Sequence, residues 1–355
     1  MIIGIWIDTP ALGDTIAAIP TCKKISEAYQ TKVAIFTTHP QIFLDQPWAL
    51  CIQGPESIKT FTNIKIHRLF GPIVGKSYEI FGGEKIEWRY SNMDIRQFHA
   101  VSQGFTLTEE EMETKVYVSR PRELSNNGVI KDYVMIHPTQ TWATRTWPEE
   151  MWQELVDQLY ERDIPVVAIG RSSKESGFYN VDKPVMQLYV ANGINLLDDP
   201  DNDIAELRWM MNNRAKCVVT MDSGILHVAG TTDVNIIQLG SSINPKLRAP
   251  YRKNSQEYKY QYVGGSCGLF CSSNMKYNVQ IHGSIHGVPP QVYCLENKPT
   301  FECHPQLNNV ISKIEGILNI DNKVDYKSAI NSSEITISNN NTNFLKFGIY
   351  TSFYD

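Results

Sequence analysis

Residues 220–240 read TMDSGILHVAGTTDVNIIQLG, and this stretch decides how the chain is read. The run leading into it, CVVT at 217–220, is apolar and β-branched. Asp222, Ser223 and Gly224 form a turn, Leu226, Val228 and Ala229 begin a short helix, and a second apolar run follows. Strand, turn, helix, strand is the repeating unit of a parallel α/β sheet. A helix that opens just after Ser223 and Gly224 points unpaired N–H groups and the positive end of its dipole at whatever stands before it, a setting that suits phosphate. The same residues also make an ordinary capped turn, because Asp and Ser accept from the first N–H groups of a helix. His227 taken alone reads equally well as a packing histidine. Both readings stay open on this stretch by itself.

With 355 residues the chain is long enough for two domains of ordinary size. Its 42% apolar and 20% charged composition is that of a soluble globular protein. A net charge of -5 and dispersed Lys and Arg offer no basic field, so nucleic acid is not expected as a partner. No run of 18 apolar residues suggests a transmembrane segment, and the N-terminus MIIGIWIDTPALGD lacks a basic leader, so the expected location is cytoplasmic. In that compartment the seven cysteines argue for thiols or metal ligands rather than a disulfide framework. Cys22, Cys51 and Cys217 sit in apolar or helical surroundings and read as structural thiols.

The N-terminal run IIGIWI at 2–7 lacks polar alternation, as expected of a strand covered on both faces. It leads into Asp8-Thr9-Pro10-Ala11-Leu12-Gly13-Asp14, a helix expected over 15–29 that Pro20 kinks or breaks, and a strand at 33–37. The loop carries neither a dinucleotide fingerprint nor a P-loop. It does carry Asp14, either a helix-start acid stabilised by the dipole or a carboxylate facing a cleft as a general base. Strands are further expected at 64–69 and 133–136, a helix at 93–101 with Gly104 as its stop, and a linker at 119–131. After the linker, Pro148 opens a helix with Trp152, Leu155, Val156 and Leu159 at helical spacing. VVAIG at 166–170 ends in Gly170, where a backbone can approach a ligand closely. A weaker strand is expected near 185–189 and a helix at 204–213. The acidic segment 198–203 contains Asp-x-Asp spacings, but it directly precedes that helix and Asp203 reads as its cap.

Three elements fall in a fixed order: Leu12-Gly13-Asp14 with Pro20; His137-Pro138 through Arg145-Thr146-Trp147-Pro148; and Asp222-Ser223-Gly224-Ile225-Leu226-His227. Their order and spacing resemble the ADP-heptose heptosyltransferases, the ninth glycosyltransferase family, over roughly residues 1–315. The resemblance implies an α/β GT-B fold, two Rossmann-like domains facing each other across a cleft. It implies an acceptor-side domain at 1–125 and a nucleotide-sugar-binding domain at 126–320 with a cysteine-rich insert at 264–305; by composition, 321–355 is a polar tail. On this resemblance Asp14 is the catalytic base. Asp222, Ser223, Gly224, Ile225 and His227 match the motif that holds the diphosphate, and Thr139, Gln140 and Arg145 match the segment that contacts the nucleotide phosphates. Arg145 stands where many relatives resemble a lysine, which keeps the charge and changes its shape to a planar fork. The implied reaction is inverting transfer of a sugar, heptose-like, from an ADP-linked donor to a glycan or protein hydroxyl, with no metal required for catalysis. Two other readings stay open: a GT-B sugar-nucleotide epimerase and a non-catalytic nucleotide-sugar-binding module.

Cys267 and Cys271, with Cys294 and Cys303 further on, form a set of four thiols suited to a structural zinc or iron, with His282, His286 and His304 nearby as substitutes; unlinked reduced thiols, or disulfides on oxidation, are the other reading. Similar four-cysteine fingers occur in the family branch that glycosylates autotransporter proteins, which brings in protein as an acceptor. A homo-oligomer remains open. The tail after 320 is Asn- and Ser-rich and ends in aromatic residues.

Overall fold

The computed structural model describes residues 2–70, 77–79, 85–87, 93–122, 130, 132–138, 145–171, 186–199, 202–252, 259–271, 294, 298 and 301–320. For 77–79, 85–87, 319 and 320 it describes the backbone alone.

β1 (Ile2–Asp8) is the covered strand that its unbroken apolar run calls for, with Ile3, Ile5 and Ile7 buried. α1 (Leu12–Ala17) and α2 (Ile19–Ala28) follow, meeting at Ala18, which keeps helical backbone angles. The helix expected over 15–29 is therefore two helices. Pro20 lies in the first turn of α2, where its missing N–H breaks no intrahelical bond. β2 (Val33–Phe36), β3 (Ala49–Gln53) and β4 (Ile64–Phe70) complete a parallel sheet of order β3-β2-β1-β4. Ile3, Ile5, Ile7, Ile16, Ile19 and Ile25 share one core. A small antiparallel pair, β5 (Ser77–Glu79) and β6 (Lys85–Glu87), precedes α3 (Ile95–Val101). Asp94 caps α3 by accepting from the Arg96 N–H at 2.8 Å, and Gly104 turns the chain beyond it at φ +77°.

The second sheet is built from β7 (Tyr133–His137), β8 (Val166–Gly170) after α4 (Glu149–Tyr160), and β9 (Gly193–Leu197). α5 (Ile204–Asn213), β10 (Ala215–Thr220), α6 (Gly224–Gly230), β11 (Asn235–Leu239), β12 (Tyr260–Val263) and α7 (Leu307–Ile320) follow. All its pairings are parallel, in the order β12-β11-β10-β7-β8-β9. Counted from β7, this is the doubly wound order in which the chain reverses direction between β7 and β10, leaving a crevice beyond their C-terminal ends. Thr220 pairs with His137 at that point.

Two further expectations change. The strand expected near 185–189 is not at 186–189, where Met186 and Leu188 are buried without a ladder; the edge strand is β9 instead. β9 is only partly buried, which is why its composition does not announce it. The stretch 119–122 is no free linker. The Arg120 N–H donates to the Ala205 carbonyl at 3.1 Å, and Arg122 pairs with Asp199 and Glu206. The remaining linker positions 123–129 and 131 lie outside the described residues. Asp203 does cap α5, accepting from the Glu206 N–H at 2.9 Å. Both sheets lie within one compact unit, Met1–Asn322.

Candidate active site

The loop after β1 and the loop after β10 meet. α1 packs on α6, closely at Gly13 and tightly at Gly224. A Cβ on Gly13 would lie 2.7 Å from His227 Cδ2, and one on Gly224 would lie 3.2 Å from Leu12 Cβ. This contact sets Asp14 beside the Asp222 turn.

Asp14 stands in the first turn of α1, half-buried. Thr9 Oγ1 accepts from the Ala11 N–H at 3.1 Å and donates to Asp14 Oδ2 at 3.4 Å. Burial pushes the Asp14 carboxyl up to about 6, against the pull of Arg248 and Arg145 and with a further push from Asp222. A carboxylate poised there is ionised at neutral pH yet more basic than an exposed one, as a general base requires.

Asp222 is buried. Burial raises its carboxyl, but the guanidinium groups of Arg145 and Arg248 outweigh that and hold it below the ordinary carboxylate range. Its Oδ2 lies 3.5 Å from Arg145 and 3.8 Å from Arg248. Arg145 also grips the turn itself, donating from Nε to the Asp222 carbonyl at 3.1 Å and again from Nη2. Ser223 occupies the cap position of α6, yet its side chain makes no cap hydrogen bond, so the capping role expected of it is not seen. Its hydroxyl turns inward to Thr220 Oγ1 at 3.0 Å and His137 Nδ1 at 3.2 Å. His137 is held neutral by burial, its proton affinity lowered to about 4. The first N–H groups of α6 are therefore not covered by Ser223.

Ile225 is half-buried against the apolar core and offers no polar group. His227 lies over Gly13, and burial lowers its proton affinity to about 4 despite Asp222 nearby. Gly170 closes β8 beside the His137–Pro138 segment, where an added Cβ would lie 3.7 Å from the Pro138 carbonyl oxygen. Thr139 and Gln140 lie outside the described residues.

Two groups at the site carry no motif. Arg248 follows a 3₁₀ turn (Pro245–Leu247) beyond β11 and acts on Asp14, Asp222, His227 and His99. The one available signal is topological, since loops after the C-terminal ends of parallel strands line the ligand edge. His99 of α3 is fully buried; among the described residues neither ring nitrogen meets full hydrogen-bond geometry, and burial first of all lowers its proton affinity to about 4, against an opposing pull from the Asp14 backbone.

The four cysteines of the insert, all half-buried, lie beyond the C-terminal ends of β11 and β12. The Gly265 N–H donates to the Cys303 carbonyl and the Cys267 N–H to the Glu302 carbonyl, each at 3.0 Å, which ties the two halves of the set together. Burial, then the nearby Cys267, Cys271 and Cys294, pushes the Cys303 thiol up to about 12. Among the described residues no three His, Cys, Asp or Glu side chains stand in a group that could hold an ion. His282 and His286 lie outside the described residues. Also among them, no helix is long and apolar enough to cross a membrane.

Residues 85–265 match the family model for glycosyltransferase family 9 (heptosyltransferase). No curated protein matches the chain. Among solved structures, the chain is similar to TibC from enterotoxigenic E. coli H10407, described as an iron-containing dodecameric glycosyltransferase. The identity is 14% and the TM-score 0.61, covering 91% of this chain and 80% of that one. A second TibC structure, a heptosyltransferase in complex with ADP-D-β-D-heptose, is 15% identical with a TM-score of 0.61, covering 90% and 75%. The E. coli ADP-heptose LPS heptosyltransferase II is 13% identical with a TM-score of 0.52, covering 91% and 100%.

Proposed function

Since the chain belongs to glycosyltransferase family 9, the heptosyltransferases, and is a glycosyltransferase of α/β GT-B fold, we propose that it transfers a heptose-like sugar from an ADP-linked donor to a hydroxyl of a glycan or protein, with inversion. The observation that carries this is the meeting of Asp14, at about 6, with a turn whose buried acid is matched by two guanidinium groups. The two sheets support reading 1–125 as the acceptor side and 126–320 as the donor side.

In this reading Asp14 takes the proton of the acceptor hydroxyl as that oxygen bonds to the anomeric carbon. The bond from that carbon to the diphosphate breaks on the opposite face, and ADP leaves with the electron pair. Negative charge grows on the leaving diphosphate, so fixed guanidinium groups and the uncovered start of α6 stabilise the transition state more than the ground state. That is the work a divalent cation does in other transferases, so none is assigned to the chemistry. Arg145, Asp222, Ser223, Gly224, Ile225 and His227 are the donor-side residues, with Thr139, Gln140 and Gly170 along the nucleotide.

The test is product analysis with ADP-heptose, with and without an acceptor. Transfer only with acceptor supports the reading; isomerised free donor points to an epimerase, and donor binding without turnover to a binding module. Asp14→Ala is expected to lower turnover by about 10²–10⁴-fold while ADP still raises the melting temperature.

Cys267, Cys271, Cys294 and Cys303 are proposed to hold a structural zinc or iron. Four soft thiols suit either metal; among the described residues the four do not close round an ion, and a cation among them would relieve the part of the Cys303 shift that comes, after burial, from the neighbouring cysteines. TibC's description as iron-containing and dodecameric supports both the metal and a homo-oligomer here. Elemental analysis checks the first, with a metal-free, fully reduced and folded preparation counting against it. A cytoplasmic location fits a nucleotide-sugar donor.

A further inference from the structure

We propose that Arg248 is a further functional residue of this site, a guanidinium facing Asp14 and Asp222 together, and that Arg96 is the positioning residue that holds it there from the other sheet's side of the molecule. The inference rests on the reading of Asp14 as the base.

The argument begins with how the 244–252 loop is pinned. Arg252 is buried and donates to the Ala229 and Val234 carbonyls at 2.7 Å each, which fixes the loop's far end to the end of α6. Pro250 packs on Gly230, where an added Cβ would lie 2.4 Å from the Pro250 Cβ. From the opposite side comes α3. Arg96 is buried, 6% exposed, and its Nη2 donates to the Ala249 carbonyl at 2.8 Å, across 153 residues of sequence. Its Nε donates to Asp94 Oδ1 at 2.7 Å, and Asp94 is itself fixed as the cap of α3. Arg96 is thus aimed by Asp94, and the residue it grips is the neighbour of Arg248. Held between these supports, Arg248 puts its Nε 3.8 Å from Asp222 Oδ2.

The charges around Asp14 give this placement its use. From its own loop Asp14 meets Thr9; from the donor side it meets Arg248, Asp222 and Arg145, with His227 over Gly13; and α3 brings His99, Arg96 and Asp94 close to that same cluster. Among the groups that oppose the burial of Asp14, Arg248 pulls hardest. A cation there keeps the base ionised, and one shared with Asp222 ties the state of the base to the turn that holds the donor. The Arg96 grip makes that tie depend on α3 and the 244–252 loop staying together.

The experiment is a carboxyl titration by NMR on protein labelled with ¹³C at the aspartate side chains, with Asp14→Asn identifying the Asp14 signal. In the unaltered protein Asp14 is expected to titrate near 6. Arg248→Gln is expected to raise that midpoint by about one pH unit or more. Arg248→Lys is expected to return it near the starting value, and Arg96→Gln to raise it by a smaller amount. An unmoved midpoint in a folded Arg248→Gln protein overturns the proposal. If that variant does not fold, Arg96→Gln decides, and an unmoved midpoint there overturns it equally. The titration needs no substrate, so it stands apart from the reading beneath it: Asp14→Asn with full transferase turnover would sink the base assignment and leave the Arg248 result intact.

Discussion

At the scale of single residues, Asp14 sets function against stability. Its carboxyl is near 6 in the folded chain and near 3.8 when exposed. Between those values the folded state holds the extra proton, so the contribution of Asp14 to stability falls as pH rises through that window. Above pH 6 the ionised group costs at most about 3 kcal/mol, because each pKa unit is worth about 1.4 kcal/mol. Asp14→Asn is therefore expected to melt higher than the unaltered protein at pH 8, with the gap closing by pH 4.5; calorimetry at the two pH values checks this. Arg248 keeps Asp222 as its counter-charge in that variant. The acid side of the turnover profile should have its midpoint near 6 for the same reason. Asp14 itself was legible as a candidate from its place after the first strand. Its proton affinity was not, because burial and the two guanidinium groups are supplied by segments far away in sequence.

Among the elements, α6 is the one the site depends on, and its last residue shows how tightly it is seated. In a helix, Ala is worth up to about 1 kcal/mol more than Gly, so Gly230→Ala alone should stabilise. Its Cβ would instead meet the Pro250 ring at 2.4 Å, and Arg252 keeps that ring from moving away. Overpacking of this kind costs about 1–3 kcal/mol, so a lower melting temperature and a displaced Arg248 loop are expected, read by thermal unfolding and by weaker ADP binding. The strands β1, β2, β7, β8 and β10 and the helices α3 to α6 were readable because unbroken apolar runs and helical spacing report burial directly. β3, β9 and β12 are only partly buried, so composition says little about them. In α7, Leu307, Val310, Ile311, Ile314 and Ile317 carry a helical repeat that a search led by motifs passes over. The break at Ala18 depends on how α1 and α2 pack, which the placement of Pro20 alone does not decide.

For the molecule as a whole, the buried His99 and His137 and the half-buried His227 govern the response to acid. His99, His137 and His227 each have a proton affinity lowered to about 4, with burial as the leading cause. Below their ordinary value of 6.5 the unfolded chain binds protons that the folded chain refuses, so stability falls as pH falls from about 6.5 towards 4. Asp14 opposes this with one proton in the lower part of that window, leaving a net uptake on unfolding of about two protons. Melting temperatures between pH 6.5 and 4.5 should drop steadily, and a flat profile would show that the histidines are not buried neutral. The composition already excluded a basic binding surface and pointed to a globular chain, but how the histidines are buried depends on the closed arrangement of both sheets.

The contact of Gly13 with His227 also has a meaning in time. During synthesis the strand and helix that carry Asp14 precede the groups that change its behaviour, Arg145 by more than one hundred residues and the Asp222 turn and Arg248 by more than two hundred. Until then Asp14 is an ordinary surface acid. On the reading of Asp14 as the base, the nascent chain therefore carries no working base until α6 and the loop after β11 pack over α1.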